Sequence, residues 1–426
     1  MPQIAMMFLK TQCARARLLL AAAVLLSLCG GGCSAAPRNY TAIHSYYQHD
    51  YATARDALRD DAMMRNDEQV LLNTARLGMA ALADGDLVEA EMALGRTFDL
   101  LSTAGLNADR TTAAIMSHEG VRIWKGEPFE QAMMYHYVAT LYAVMGDWEN
   151  VRAAAANSLF RLTDFGGSQT PESLTRHATL DDDYLERGYT AVDTNFALGF
   201  LMQAIGAQLS GAGGSDQLFD AAVDIDPALT PLVQQLRQGR YNTLLIVHFG
   251  KGPTKISYGP NQALARFVQQ EPASVAHGLL EVTVDGLQAG RTRPVTNVSA
   301  MARDHRWNNL EDIRRAKGAI GDVLVAGGAM ATAIGAQERS AEAALAGAGA
   351  MLFGLLLKSS AQADTRYLEF LPQSVYLVPL ELAEAGDVQL RVAGGSWMRL
   401  ENVQPGTYQQ PRTEYVRMHG ADSPEH

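Results

Sequence analysis

The stretch VLLNTARLGMAALADGDLVEAEMALGRTFDLL, residues 70–101, decides how the first half of this chain reads. Leu71, Leu72, Ala75, Gly78, Met79 and Leu82 recur at intervals of three and four, the spacing that gathers side chains on one face of an α-helix. Gly85-Asp86 breaks the pattern, and Leu87 to Leu101 resumes it as a second amphipathic helix. Helices joined by so short a break run antiparallel, so the spacing predicts a hairpin. Small Gly78 and Ala90 let its two helices approach closely.

The same texture continues from about residue 47 to 240, with few β-branched runs. Trp124-Lys-Gly-Glu-Pro-Phe-Glu130 places Pro128 in the first turn of a helix carrying Met133 to Met145, with Glu127 and Glu130 near its positive end. Tyr135, Ala139 and Tyr142 then lead into Gly146-Asp147-Trp148-Glu-Asn-Val151 and an alanine-rich helix. Leu77-Gly78, Gly85-Asp86, Ala90 and Leu94 resemble a tetratricopeptide repeat, the second unit resembles it too, and Phe219, Ala222 and Pro227 match only the end of the pattern. The two Gly-Asp turns lie 61 residues apart rather than the roughly 34 of a regular repeat, so the repeats are degenerate and interrupted. An all-helical domain unrelated to such repeats fits the same residues. Either product is a stacked helical array, whose usual use is to offer a groove to a partner.

From Tyr241 the texture changes. Thr243 to Phe249 is a short apolar run with β-branched and aromatic members, followed by a turn at Gly250-Lys-Gly-Pro253 and a further strand. Leu280, Val282 and Val284 alternate with polar residues, and Val295 to Met301 is another strand candidate. Val375–Leu380, Val388–Val392, Met398–Val403 and Glu414–Met418 are separated by Gly and Pro turns, a spacing that suits a small antiparallel sandwich. Between these groups, 309–358 is rich in Gly and Ala and reads as a helical hairpin whose apolar arms are each shorter than the roughly 20 residues needed to span a bilayer. It either packs on the sheet or contacts a membrane.

The fold class expected is therefore α+β: a tetratricopeptide-like array over 47–240, then a β-sandwich-like domain over 241–420 with the Gly/Ala-rich hairpin inserted at 309–358. A leader (1–32), a linker (33–46) and a tail (421–426) complete the organisation.

The leader sets the compartment. Lys10, Arg15 and Arg17 precede the uncharged run Leu18 to Leu28, too short to span a bilayer but right for a signal peptide. Cys29-Gly-Gly-Gly-Cys33-Ser resembles the lipobox of bacterial lipoproteins, which implies lipidation of Cys33; Gly30 stands where that box carries Leu. Ser34 after it points, by the same resemblance, to the outer membrane, facing the periplasm. Cleavage near Ala35 or Ala36 would instead release a secreted chain. Loss of the leader takes the formal charge from −11 to −14, which argues against a nucleic-acid partner, because backbone phosphates require a basic surface. All three cysteines lie within the first 33 residues, so the rest of the chain has neither disulfide nor thiolate metal site.

Catalytic patterns fail one by one. Gly250-Lys251-Gly252-Pro253 lacks the first glycine and the Ser or Thr of a phosphate-binding loop. No His-Glu-x-x-His occurs, and His248, inside an apolar strand, reads as a core histidine. His118-Glu119 and Tyr135-His136-Tyr137 are within reach of each other only if the helices bring them together. Asp181-Asp182-Asp183 lacks the alternation and glycine of a calcium loop, and no Gly-x-Ser-x-Gly elbow is present. The expectation is a chain that is not an enzyme and takes no cofactor or metal. Asp364 and Arg366, in Ala363-Asp-Thr-Arg-Tyr-Leu-Glu-Phe-Leu-Pro372, are candidates for an ion pair.

Together the lipobox-like leader, Leu77-Gly78 with Gly85-Asp86, Trp124 to Glu130, Gly250 to Pro253, and Asp364 with Arg366 resemble a poorly characterised family of bacterial lipoproteins with a tetratricopeptide-like half and a β-rich half. That resemblance brings no active site. It implies a membrane-anchored, non-catalytic scaffold for another envelope protein, with Trp124, Glu127, Phe129, Tyr135 and Trp148 as the partner-binding side chains. A component of an export or secretion assembly, oligomerising or touching membrane through 309–358, is the alternative, and a cell-wall hydrolase the weaker one.

Overall fold

The computed structural model describes residues 39–63, 68–103, 123–162, 196–258, 264–270, 272, 275, 277–303, 364–392 and 394–420. The leader with Cys33, the expected hairpin at 309–358 and the tail at 421–426 lie outside them.

Nine α-helices are described before the first strand: α1 (Tyr40–Tyr47), α2 (Tyr51–Met63), α3 (Val70–Asp84), α4 (Leu87–Ser102), α5 (Pro128–Met145), α6 (Trp148–Phe160), α7 (Ala197–Ser210), α8 (Ser215–Ile225) and α9 (Thr230–Gln238). Most pack against their neighbours in sequence. Both Gly-Asp turns have the same construction. Gly85 and Gly146 close α3 and α5 in the left-handed conformation, each at φ 77°, which glycine adopts without a Cβ clash. Asp86 and Asp147 open the next helix, their carboxylates accepting from the backbone of Glu89 at 3.0 Å and Asn150 at 3.1 Å. Gly78 allows the hairpin to close, since a Cβ there would stand 2.7 Å from the Leu94 side chain.

Two details of the helical half differ from expectation. α3 buries every residue from Val70 to Leu82, not one face, because α2 and α4 flank it and the sheet reaches it through the last strand. The stretch up to 46 read as linker is helical from Tyr40: Asn39 caps α1 by accepting from Ala42 N at 3.1 Å, and Ala42, Ser45 and Tyr46 are buried.

The second half forms sheets. β1 (Thr243–Phe249), β7 (Ser374–Leu380), β10 (Arg412–Met418) and the two-residue β6 (Thr296–Asn297) make one sheet in the order β10-β1-β7-β6. β4 (Leu280–Val284), β5 (Leu287–Thr292), β8 (Gly386–Val392) and β9 (Met398–Val403) make another in the order β5-β4-β8-β9. β2 (Thr254–Tyr258) and β3 (Leu264–Val268) pair separately. All seven residues of β1 are buried, because the first sheet is a middle layer. Leu244 and Ile246 join the helical core, whereas Leu245, Val247 and Phe249 join a core shared with Val282, Val388 and Leu390 of the second sheet. β8 alternates buried and half-buried positions, as a strand with one covered face must.

The strands depart from an all-antiparallel arrangement in one respect: β10 pairs parallel to β1, in register from Thr243 with Arg412 to Phe249 with Met418. The strand expected over Val295 to Met301 is also corrected. Only Thr296–Asn297 pairs with β7, and α10 (Val298–Arg303) follows, because the Asn297 carboxamide accepts from Ala300 N at 3.0 Å and starts a helix there. Among the described residues no helix is long and apolar enough to cross a membrane.

Gly78 and Gly95 sit on facing helices with opposite surroundings, Gly95 having nothing within 4 Å of its virtual Cβ. Gly78→Ala should lower stability by ~1–3 kcal/mol through overpacking. Gly95→Ala should raise it by ~0.5–1 kcal/mol, since alanine is the better helix residue. Urea denaturation of the two variants checks both signs.

Candidate functional site

The segment 364–373 has no regular secondary structure, yet Tyr367 to Gln373 are buried. Buried main-chain groups must find partners, and here they come from every layer. Leu368 N donates to Glu130 Oε1 at 2.8 Å. The Tyr47 hydroxyl donates to Glu369 O, and the Tyr137 hydroxyl to Phe370 O at 3.3 Å. Gly252 N donates to Leu371 O at 2.8 Å, and Gln373 N to Phe249 O at 2.8 Å. A Cβ on Gly252 would stand 2.6 Å from that Leu371 oxygen, so only glycine permits the contact. The Phe370 ring stacks on Tyr46 with centroids 3.8 Å apart. This strap therefore joins α1, α5 and the Gly250–Pro253 turn.

Charge fixes both ends of it. Asp364 receives Arg366 in a two-point ion pair, Nε to Oδ1 at 3.0 Å and Nη2 to Oδ2 at 2.7 Å. Burial works to raise the Asp364 carboxyl, but Arg366 and then Lys255 carry it down to about 2. Arg366 Nη1 and Trp124 N both donate to Glu68 O, at 2.9 and 2.8 Å, and the Trp124 indole donates to Arg366 O at 3.2 Å. Further along, Arg76 Nε donates to Glu369 Oε2 at 2.9 Å, a pair buried on both sides. Arg76 Nη1 also reaches Asn73 Oδ1 at 2.9 Å.

The start of α5 supplies the rest of the corner. Glu130 Oε2 accepts from Glu127 N at 2.8 Å, the reciprocal half of a capping box. Burial pushes the Glu130 carboxyl up to about 8, against the pull of Lys255 and of its two backbone donors. Lys255 Nζ meets Glu127 Oε1 at 2.5 Å, and Phe129 packs edge-on against Phe267 at 4.8 Å.

Behind the strap, α5 and the middle sheet share a cluster of rings. His136 Nε2 and His248 Nε2 are 2.9 Å apart, so one imidazole donates and the other accepts. The Tyr415 hydroxyl lies 3.3 Å from His248 Nδ1, and Tyr137 packs at right angles to His248 at 4.7 Å. Burial holds His136 at about 3; burial, then His136 and Arg417, hold His248 well below the ordinary value. Both rings are neutral at physiological pH. Arg417 is buried too, its guanidinium donating to the Tyr46 hydroxyl at 3.1 Å and to the carbonyls of His248, Gly250 and Met418 at 3.2, 2.7 and 2.7 Å.

The residues expected to face a partner are not at the surface. Trp124, Glu127, Phe129, Tyr135 and Trp148 are all buried. Trp124, Glu127 and Phe129 belong to the strap corner. Tyr135 lies apart from it, against Ser102 at 3.2 Å and Arg161 at 3.2 Å, and Trp148 opens α6. Gly78, Gly85, Asp86, Ala90, Gly146 and Asp147 shape helix contacts and turns, and Gly250, Gly252 and Pro253 form the turn against the strap. Cys33, His118-Glu119 and Asp181 to Asp183 lie outside the described residues. Sequence reading passed over Arg76, Glu369, Lys255 and Arg417. Three of them carry a visible signal, a single charge inside an otherwise apolar run.

No family model, curated protein or solved structure matches the chain. What the geometry itself defines is a helical array latched to a mixed sheet through one internal strap.

Two outcomes follow from these contacts. Arg76→Leu leaves the Glu369 charge buried without its cation, and should cost ~3–5 kcal/mol. Arg412→Leu, at a surface ion pair with Glu414, should cost ~0–1 kcal/mol in the same chemical denaturation. The histidine pair has a pH signature. Because the folded pKa values are depressed, the unfolded chain takes up protons that the folded one refuses, so this contribution is complete above about 6.5 and is lost as pH falls toward about 3. Glu130 acts in the opposite sense, its contribution complete below about 4.5 and lost as pH rises toward about 8, but it sets one carboxyl against two imidazoles. Denaturation midpoints should therefore drop from pH 7 to pH 5. His136→Phe alone should cost ~1–3 kcal/mol by leaving His248 Nε2 unpaired. The double change His136→Phe with His248→Phe should cost less than two such losses and should flatten the acid-side slope.

Proposed function

We propose that this chain is exported, lipidated at Cys33 and held in the bacterial cell envelope, at the outer membrane, where it is a non-catalytic scaffold for another envelope protein. The observation that carries the scaffold reading is the destination of the buried polar groups. Glu130, Arg76, Arg417 and the tyrosine hydroxyls are directed at backbone and at one another around residues 364–373, which makes the helices and sheets a single stiff support. The anchoring reading rests on the sequence: a basic start, the apolar run Leu18 to Leu28, and small residues before Cys33.

The tetratricopeptide-like character belongs to the same proposal. Matching caps at Gly85-Asp86 and Gly146-Asp147 support descent of the two hairpins from one unit. The two facing sheets support the sandwich-like reading of the second half. Both fit the lipoprotein family that the motifs resemble. With the usual partner-facing aromatics buried, the partner surface lies on other residues.

Fractionation tests the anchor. The wild-type chain should sediment with membranes and Cys33→Ser should appear in the soluble periplasmic fraction; a Cys33→Ser chain that stays with membranes rules the lipid anchor out. Chemical crosslinking of the native chain in cells tests the scaffold. One reproducible envelope companion is expected, and recovery of the chain alone would remove the reading.

A further inference from the structure

Asn39 is tied to the body of the fold from both sides. Its carboxamide oxygen accepts from Ala42 N at 3.1 Å, and its nitrogen donates to Ala57 O at 2.6 Å and to Asp61 Oδ2 at 3.1 Å on α2. Six residue steps separate it from Cys33. At roughly 3.3–3.6 Å per residue, a fully extended chain of that length spans about 20 Å. Beyond this fixed point α1 turns one stripe outward. Tyr40, Thr41 and His44, with Gln48 at the C-cap, are exposed, and at about 100° of turn per residue they share one side of the helix. Ala42, Ser45 and Tyr46 point inward. The stripe holds no Asp, Glu, Lys or Arg, and Tyr40 at its start is 70% exposed.

We propose that this outward stripe of α1 rests on the headgroup layer of the bilayer that holds the acyl chains of Cys33; the inference rests on lipidation of that cysteine. The tether sets the partner, because a lipid surface entered at Cys33 lies within about 20 Å of the start of α1. The chemistry of the stripe fits that surface. Tyrosine has an apolar ring and a hydroxyl that stays wet, the combination that gathers at membrane interfaces. Arg38, the sole charge between Cys33 and Asn39, suits lipid phosphates. The neighbouring helix α2 exposes Asp56 and Asp60 instead, charges that a phosphate-bearing surface repels.

A single exposed apolar side chain is ordinary on any protein surface. Leu287, in the second sheet, is more exposed than Tyr40 at 76%. What sets Tyr40 apart is the anchor seven residues before it. Its helix is also held firmly from within: Tyr46 stacks on Phe370, and the Tyr47 hydroxyl donates to Glu369 O. Membrane contact through α1 therefore passes directly to the strap, and fixes how the helical array and the sheets are turned above the bilayer.

Nitroxide labelling of the full lipidated chain tests this contact. Once the leader is removed Cys33 is the only cysteine and its sulfur is acylated, so an introduced cysteine is the single free thiol. Thr41→Cys, His44→Cys and, as the distant reference, Leu287→Cys are labelled and reconstituted on vesicles of phosphatidylethanolamine with a minority of phosphatidylglycerol. Collision with a water-soluble nickel chelate should fall at least about 3-fold at 41 and 44 relative to 287, since an interfacial helix sinks its inner side into the headgroup boundary. Tyr40→Asp suits the first turn of a helix, so the chain should fold as before, yet it should restore nickel access at 44. Vesicle flotation separates the two readings. A chain that floats but shows equal nickel access at 41, 44 and 287, or no response to Tyr40→Asp, overturns the contact and leaves the lipid anchor standing. A chain that does not float overturns both.

Discussion

Everything in this fold depends on satisfying the main chain of residues 364–373. A segment that is neither helix nor strand and is nonetheless buried cannot pair its own amides and carbonyls, and each one left bare costs ~1–3 kcal/mol. The partners are supplied from outside: a carboxylate from the start of α5, hydroxyls from α1 and α5, an amide from the Gly250–Pro253 turn and a carbonyl from β1. Helical array and sheet are thereby held by the same few residues, and neither can shift without exposing polar groups of the strap.

Buried charge is handled in two ways. Arg76 and Glu369 neutralise one another across the interior, with Asn73 absorbing a further donor. Arg417 is surrounded instead by neutral acceptors, three carbonyls and a hydroxyl, with the Tyr46 and Tyr47 rings 5.6 and 5.9 Å from its guanidinium carbon. Carbonyl dipoles and aromatic faces spread the positive charge without requiring a buried anion. Gly250 matters in this arrangement because its left-handed turn aims its carbonyl at that guanidinium.

Local pattern was readable wherever local physics decides. The three-and-four spacing of Leu71 to Leu82 and the two Gly-Asp turns located α3 to α6, the apolar runs located β1 and β7, and flanking Gly and Pro turns bounded β9. At Val295 to Met301 the β-branched residues misled, because a single asparagine cap outweighed their preference for strand. The candidate site was legible only in fragments. Trp124 to Glu130, Gly250 to Pro253 and Asp364 to Pro372 each stood out, but their convergence is a property of the tertiary fold. Trp124 and Phe129 were expected to face a partner because nothing local reveals that Arg366 and Phe267, from later in the chain, pack against them. Arg76, Glu369 and Arg417, each a lone charge among apolar neighbours, carried the stronger signal for burial.

The parallel pairing of β10 with β1 also bears on how the molecule assembles. β1 lies between an antiparallel neighbour, β7, and this parallel one, both distant in sequence. Its row of backbone groups stays half open until the strand beginning at Arg412 is in place. Such a sheet has high contact order, and loop-closure entropy must be overcome before its pairing stabilises anything. The helical hairpins can form early from local contacts, but the middle layer must wait for the final strand. A chain emerging from its N-terminus first would therefore hold helices and an unfinished sheet, becoming rigid only when Arg417 reaches its carbonyl cage.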